Sequence, residues 1–223
     1  MSKLVIIPTQ TEYNYFLASA KSEIYPFEQC SIGKIPVVRF PDIDIVVSCG
    51  GLGKVQFAVH TQYLIDQHPE WDFVICAGAA GALVDYLNIG DIVVATETVE
   101  HDIYNRFGPP RLPKFRGDET AVTHLKSLPQ SNSFQIHFGP IASGDEDVID
   151  TQRKNEIQTL TGGMAVAWEG AGGARACAFS DVPFIEIRGI SDGANSTASS
   201  DFENNLESVM NNIATLILCW ANR

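Results

Sequence analysis

The sequence has few basic residues, and that shortage narrows the choice of partners. Its 223 residues include 15 lysines and arginines against 27 aspartates and glutamates, so the formal charge is −12 at pH 7. A surface of that sign repels phosphate backbones and anionic lipids. The sequence also lacks any apolar stretch near the roughly 18 residues that a membrane-spanning helix needs. We therefore expect no nucleic acid and no membrane among its partners.

Paired cysteines are missing as well. The five cysteines are odd in number, widely spaced and without a CxxC pair. Such usage is typical of reduced thiols rather than of a disulfide framework. The first apolar run, residues 4–7, is far too short for a signal peptide. Together these features predict a cytoplasmic protein.

Several motifs of cofactor and hydrolase chemistry are absent. A dinucleotide-binding fingerprint would need a third glycine where Gln56 stands, and a phosphate-binding Walker loop would need Ser or Thr at Val55. The sequence contains no GxSxG nucleophile elbow. Its five histidines are scattered without metal-ligand spacing. We expect neither a cofactor nor a metal.

What the chain does contain is an alternation of short β-rich runs and longer helical patterns. Residues 73–77 form a continuous apolar run, which is typical of a strand covered on both faces. Residues 170–179 indicate a small-residue helix, and 202–220 a final helix with an apolar stripe. Residues 104–119 are rich in Pro, Arg, Gly and Asp, which favours an excursion loop. With no linker in residues 1–223, the pattern predicts one α/β domain with helices on both sides of a mostly parallel sheet.

Three acids stand near the predicted ends of strands, the edge at which open α/β sheets bind ligands. Glu169 precedes a glycine-rich helix, and it is either a helix cap or a clamp for both hydroxyls of a ribose. Asp192 belongs either to an Asp-Gly turn or to a general acid that burial keeps protonated near neutral pH. Glu12 is either an exposed acid at a helix N-terminus or a base that holds and activates water.

Two further features accompany these acids. Glu186 and Arg188 alternate onto one face of the strand predicted at 183–190, and buried charges need partners, so we expect a local ion pair. The string Gly78-Ala-Ala-Gly81 is expected to close its strand in a turn toward a helix. Its backbone amides could also bind a ligand oxygen.

In their order along the chain, six strings resemble the purine nucleoside phosphorylase and nucleosidase superfamily. They are Gly51-Leu-Gly-Lys-Val55, Ala77-Gly-Ala-Ala-Gly81, Ile89-Gly-Asp-Ile-Val93, Ser143-Gly-Asp145, Trp168-Glu-Gly-Ala171 and Arg188-Gly-Ile-Ser-Asp192. Within that superfamily, the strings look most like those of the methylthioadenosine and adenosylhomocysteine nucleosidases, which hydrolyse the bond between adenine and ribose. The resemblance implies a three-layer α/β/α sandwich around a twisted, mixed central sheet, usually in a homodimer.

The resemblance also implies roles for particular residues. Asp192 would protonate the purine and Ser191 would orient that acid. Glu12, with Arg188 nearby, would position the attacking water, while Glu169 would bind the ribose hydroxyls. Five further residues would bind the substrate, a purine nucleoside: Trp168, Val148, Gly78, Ala79 and Phe202. A loop at 101–113 would close the pocket of the neighbouring subunit, and its Ile103 and Phe107 would contact the substrate there.

Three other functions stay open. Phosphorylases of the superfamily bind phosphate with an arginine and a serine around the Gly78 string, where this chain has Cys76 and Ala79, so water is favoured as the nucleophile. A futalosine-type hydrolase would need a cation beside Phe202 for its acidic substrate. A nucleoside-binding module without chemistry is motivated by Ala79, Asp147 and Trp168, which replace the serine, phenylalanine and methionine usual in nucleosidases.

Overall fold

The computed structural model describes residues 2–22, 25–68, 70–103, 107–108 and 111–222. Its strands are β1 Lys3–Ile7, β2 Glu28–Ile32, β3 Ile35–Phe40, β4 Ile45–Cys49, β5 Phe73–Ala82, β6 Ile92–Glu100, β7 Lys114–Arg116, β8 Ile136–Ser143, β9 Ala165–Ala167 and β10 Phe184–Asp192. Its helices are α1 Gln10–Ser22, α2 Lys54–Gln67, α3 Glu119–Lys126, α4 Thr151–Thr161, α5 Gly170–Phe179 and α6 Ala198–Ala221, with a 3-10 turn at Pro41–Ile43.

The strands form a single mixed sheet that closes on itself at one end. Its order is β10-β6-β8-β9-β5-β1-β4-β3-β2, with β7 paired to β6 and an additional pairing of β10 with β5. Strands β5, β10, β6, β8 and β9 therefore form a small closed barrel, from which the remaining strands extend as an open sheet. β1 runs parallel to both β4 and β5, but β10–β6, β5–β9 and the pairings of β3 are antiparallel. The expectation of a mostly parallel sheet is thus too simple, because barrel closure and the β2–β4 meander reverse several strands.

Helices cover both faces of the sheet. Helices α1 and α6 pack on one face, in a core that includes Phe16, Val209 and Ile213. Helices α2 and α5 pack on the other face, around Phe57, Leu64 and Cys177. This arrangement confirms the expected three-layer α/β/α sandwich with a twisted mixed sheet. None of the described helices combines the length and apolarity that a membrane crossing requires.

The turn expected at residues 78–81 is wrong, because β5 continues through both glycines to Ala82. Gly78 pairs with Arg188 and Gly81 with Asp192 on β10. A Cβ at Gly78 would lie 2.9 Å from Nη1 of Arg188, and one at Gly81 would lie 2.8 Å from Oδ1 of Asp192. The glycines therefore make room for charged side chains rather than bend the chain.

Other boundaries differ less. The small-residue helix is α5, as expected, while the final helix begins already at Ala198. The expected excursion loop at 104–119 contains strand β7 at Lys114–Arg116, which pairs with β6. Residues 104–106 and 109–110 of that loop lie outside the described part of the chain.

Candidate active site

A cavity of about 480 Å³ opens beside the ends of β1, β5 and β10. Its size lies within the range of about 300–1,000 Å³ that is typical of small-molecule sites. Its walls come from the turn after β1, the second half of β5, the segment after β8, the end of β9, the end of β10 and the first turns of α6. The lining includes Glu12, Ala79, Asp147, Val148, Trp168, Glu169, Arg188, Ser191, Asp192 and Phe202.

Asp192 is the last residue of β10 and is 8% exposed. Its Oδ2 accepts a hydrogen bond from Ser191 Oγ at 2.8 Å, and its Oδ1 accepts one from the Ala194 amide at 2.9 Å. Burial raises the pKa of Asp192, and the two hydrogen bonds oppose that rise only in part. Ser191 Oγ also lies 3.3 Å from the Ala80 carbonyl, which gives it another acceptor when Asp192 carries the proton.

Glu169 occupies the N-cap position of α5, yet its side chain makes no capping bond. Oε1 accepts from the Gly53 amide at 3.1 Å and Oε2 from Arg188 Nη2 at 3.2 Å. The capping interpretation is therefore wrong, since the carboxylate is held by the N-terminus of a different helix, α2, and by a buried guanidinium. It is 3% exposed and lines the same cavity as Asp192.

Glu12 is also buried, at 3% exposure, so the alternative of an exposed helix acid is wrong. Its Oε1 accepts from the Ala79 amide at 2.8 Å, and its Oε2 accepts from the Thr9 amide and hydroxyl at 3.1 and 2.6 Å. The Glu12 amide in turn donates to Thr9 Oγ1, which makes the pair a capping box at the start of α1. Burial raises the pKa of Glu12, against the effect of these donors.

Arg188 lies beneath the cavity at 1% exposure and is paired on two sides. Nε donates to Glu186 Oε1 at 2.8 Å, which confirms the expected local ion pair, and Nη2 donates to Glu169. Burial acts to lower the pKa of Arg188, but the neighbouring carboxyl groups of Glu186 and Glu169 outweigh it, so the pKa is raised and the cation persists.

The remaining expected binding residues fall into two groups. Trp168, Val148, Ala79 and Phe202 line the cavity. Three others are not among the lining residues: Gly78, which lies against Arg188 and Glu12, and the exposed side chains of Ile103 and Phe107.

Two contributions to the site went unrecognised in the sequence. Thr9 orients Glu12, and the spacing Thr9-x-x-Glu12 of a capping box was the signal that could have revealed it. The Gly53 amide donates a hydrogen bond to Glu169. The two residues are far apart in the sequence, so no local pattern could have predicted this contact. Gly53 adopts φ +80°, a conformation that favours glycine, and this aims its amide at the carboxylate.

The described residues include no group of three or more His, Cys, Asp or Glu side chains arranged to bind a metal ion. The cavity itself offers three buried carboxyl groups: a shielded acid at Asp192, a fixed carboxylate at Glu169 and a second acid at Glu12. An acid that can donate a proton and a carboxylate that can accept two hydroxyls stand on the walls of one cavity.

Relatives of known sequence match most of the chain. The phosphorylase superfamily profile matches residues 3–219. A 5′-methylthioadenosine/S-adenosylhomocysteine nucleosidase from Geobacillus thermodenitrificans is 34% identical over 189 residues, which cover 81% of this chain and 80% of the relative. One from Exiguobacterium sp. is 33% identical over 194 residues, or 82% of each chain.

Solved structures share the fold over nearly the whole chain. The 5′-methylthioadenosine/S-adenosylhomocysteine nucleosidase from S. pneumoniae, with the transition-state inhibitor MT-ImmA, has a TM-score of 0.84 at 26% identity and covers 100% of this chain and 99% of its own. The futalosine hydrolase of Helicobacter pylori has a TM-score of 0.85 at 26% identity, covering 98% and 97%. Since the profile spans nearly the whole sequence and curated relatives exceed 30% identity, the chain belongs to the phosphorylase superfamily.

Proposed function

We propose that the protein is a purine nucleosidase that hydrolyses the N-glycosidic bond of 5′-methylthioadenosine or S-adenosylhomocysteine. The observation that carries the proposal is the convergence of Asp192, Glu169 and Glu12 on one cavity. Proteins of that activity are among its relatives in sequence and in structure.

The base end of the reaction falls to Asp192. Its raised pKa lets it hold a proton, which it donates to the purine as the bond between ribose carbon 1′ and the base nitrogen breaks. Ser191 keeps the carboxyl group oriented through its 2.8 Å contact. The departing base leaves as a neutral purine, so little negative charge accumulates on it.

The sugar end of the reaction falls to Glu169 and Glu12. Glu169 is held by the Gly53 amide and Arg188, and it accepts hydrogen bonds from the two ribose hydroxyls. Glu12 binds the water whose oxygen attacks carbon 1′ and takes up its proton. The negative carboxylates also stabilise the positive charge that develops on the ribose.

Water is favoured over phosphate because the cavity offers no spare cation. Among the described lining residues Arg188 is the only basic one, and it is paired with Glu186 and Glu169. Cys76 is buried against Arg188 Nη2, and Ala79 has no hydroxyl. A phosphate dianion would therefore meet acids rather than donors.

A futalosine-type hydrolase is the second candidate, since a structure of that description shares the fold. Its substrate carries an acidic extension, and the described cavity wall near Phe202 has no basic residue to bind it. The uncharged methylthio group therefore suits the site better.

The deciding experiment is a nucleoside panel assayed with and without phosphate. Incubation with methylthioadenosine in phosphate-free buffer should release adenine and the free sugar. Strict dependence on phosphate, with a sugar phosphate as product, would instead indicate a phosphorylase. Binding of nucleosides in calorimetry without turnover of any of them would indicate a non-catalytic module.

A homodimer in the cytoplasm completes the proposal. Leu52, at the cavity rim, and Val55 and Val59 on α2 present an exposed apolar surface that a second subunit would cover. Ile103 and Phe107 stand outside this protomer's own cavity, which suits residues that close a neighbour's. The five cysteines are free thiols, which supports a reducing compartment.

A further inference from the structure

Glu186 is a buried acid that the proposed reaction does not use. Its side chain is fully buried and does not line the cavity. Oε1 accepts from Arg188 Nε at 2.8 Å and Oε2 accepts from Thr98 Oγ1 at 2.6 Å. A Cβ at Gly170 would lie only 2.1 Å from Oε2, so the carboxylate is enclosed. Glu186 can therefore influence a ligand only through Arg188.

Arg188 has all three of its side-chain nitrogens engaged. Nε contacts Glu186, Nη1 donates to the Ala79 carbonyl at 3.3 Å, and Nη2 contacts Glu169 and the Cys76 sulfur. Two carboxylates thus face one guanidinium, and they offset the positive charge with which an anion in the cavity would otherwise pair. Without Glu186, Arg188 would be a buried cation with one carboxylate fewer beside it, and a guanidinium of that kind binds anions.

We propose that Glu186 is a positioning residue that selects the nucleophile: by neutralising Arg188 it excludes inorganic phosphate and keeps the reaction hydrolytic. This inference rests on the proposed nucleosidase function and deepens it. Water is neutral and needs only the acceptor that Glu12 supplies, so it enters a site of net negative charge without penalty. A phosphate dianion in the same place would face Glu12 and Glu169 with no unpaired cation to offset them.

The variant Glu186→Gln tests the inference, because it keeps the side-chain shape and an acceptor for Arg188 while removing the charge. Free sugar released from methylthioadenosine is measured without phosphate and with about 50 mM phosphate, with sodium chloride matching the ionic strength. The wild-type rate should change less than about twofold, whereas the variant should slow by about fivefold or more in phosphate, whether phosphate blocks water or reacts in its place.

Two matched variants separate charge from structure. Glu97→Gln on β6 removes a carboxylate that pairs with Lys114, away from Arg188, and should stay indifferent to phosphate. Glu186→Asp keeps the negative charge, so its rate of sugar release should again be unaffected by phosphate. The inference would be overturned if Glu186→Gln folds and its rate of sugar release is as unaffected by phosphate as that of the wild type.

A measurement on the wild type covers the case in which Glu186→Gln does not fold. Phosphate should give no more protection against thermal unfolding than sodium chloride of equal ionic strength. Specific protection, or competitive inhibition of wild-type hydrolysis by phosphate, would refute the role of Glu186 while leaving the nucleosidase function intact. Absence of any adenine release in phosphate-free buffer would refute the proposed function itself.

Discussion

At the scale of single residues, the site holds three carboxyl groups in different surroundings. Asp192 and Glu12 are buried among mostly neutral partners, and burial raises the pKa of each. Glu169 instead has an amide at one oxygen and a guanidinium at the other. The three carboxyl groups thus differ in the donors that hold them.

Asp192→Asn should abolish turnover while leaving product-like ligands bound. The amide keeps the shape of the side chain but cannot donate the proton, so the rate should fall by about 10²–10⁴-fold or more. Adenine release and calorimetric binding of adenine are the two measurements. Turnover near the wild-type rate would remove Asp192 from the mechanism.

Ser191→Ala should move the alkaline limb of the pH–rate profile. Asp192 is active when protonated, so activity is lost as the pH rises through its raised pKa. The Ser191 hydrogen bond lowers that pKa, so its removal should shift the alkaline limb to higher pH. A profile of kcat/KM against pH checks this, with Ser199→Ala at the cavity rim as the control; a limb that stays in place or moves downward would contradict it.

Glu169→Gln should weaken ligands that contain ribose and leave free adenine nearly unaffected. The change removes the charge that strengthens the two diol hydrogen bonds, which costs about 1.5–3 kcal/mol per bond lost. Calorimetric titration with a nucleoside analogue and with adenine separates the effects. An equal loss for both ligands would contradict the diol role.

At the scale of elements, β5 is the strand around which the site is built. It pairs with β1, β9 and β10, and the side chains of Glu12 and Arg188 converge over its Gly78. Its amide at Ala79 binds Glu12 and its carbonyl at the same residue accepts from Arg188. A strand of small residues thus lets charged neighbours approach the backbone closely.

Gly78→Ala should damage activity through crowding. The added Cβ would lie 2.9 Å from both Arg188 Nη1 and Glu12 Oε1, so both side chains must shift, at a cost of about 1–3 kcal/mol in stability. Chemical denaturation and adenine release measure the two effects. Gly162→Asn at the C-cap of α4, where a left-handed residue faces open space, is the control and should change neither much. Unchanged activity in Gly78→Ala would argue against the tight packing beneath the cavity.

At the scale of the whole molecule, the apolar surface of Leu52, Val55 and Val59 adjoins the cavity through Leu52, so the proposed dimer would couple assembly to function. Val55→Asp should weaken a dimer and lower activity together, because Val55 is 75% exposed in the single chain. Sedimentation and adenine release measured over a dilution series check it. Leu160→Asp on α4, another exposed apolar position, should leave both unchanged. A wild type that is monomeric at all concentrations would end the dimer proposal.

The sequence determined the alternation of elements, the lack of closely paired cysteines and the motifs that mark the superfamily, because these depend on residue type and local spacing. It also indicated Asp192, Glu169 and Glu12, although each had an ordinary alternative. Only the tertiary structure excluded the ordinary alternatives for Glu169 and Glu12, because burial and partners come from distant segments: Gly53 reaches Glu169 from α2, and Ala79 reaches Glu12 from β5. Closure of the barrel likewise could not be predicted from local sequence patterns, because the β10–β5 and β10–β6 pairings join residues far apart in the chain.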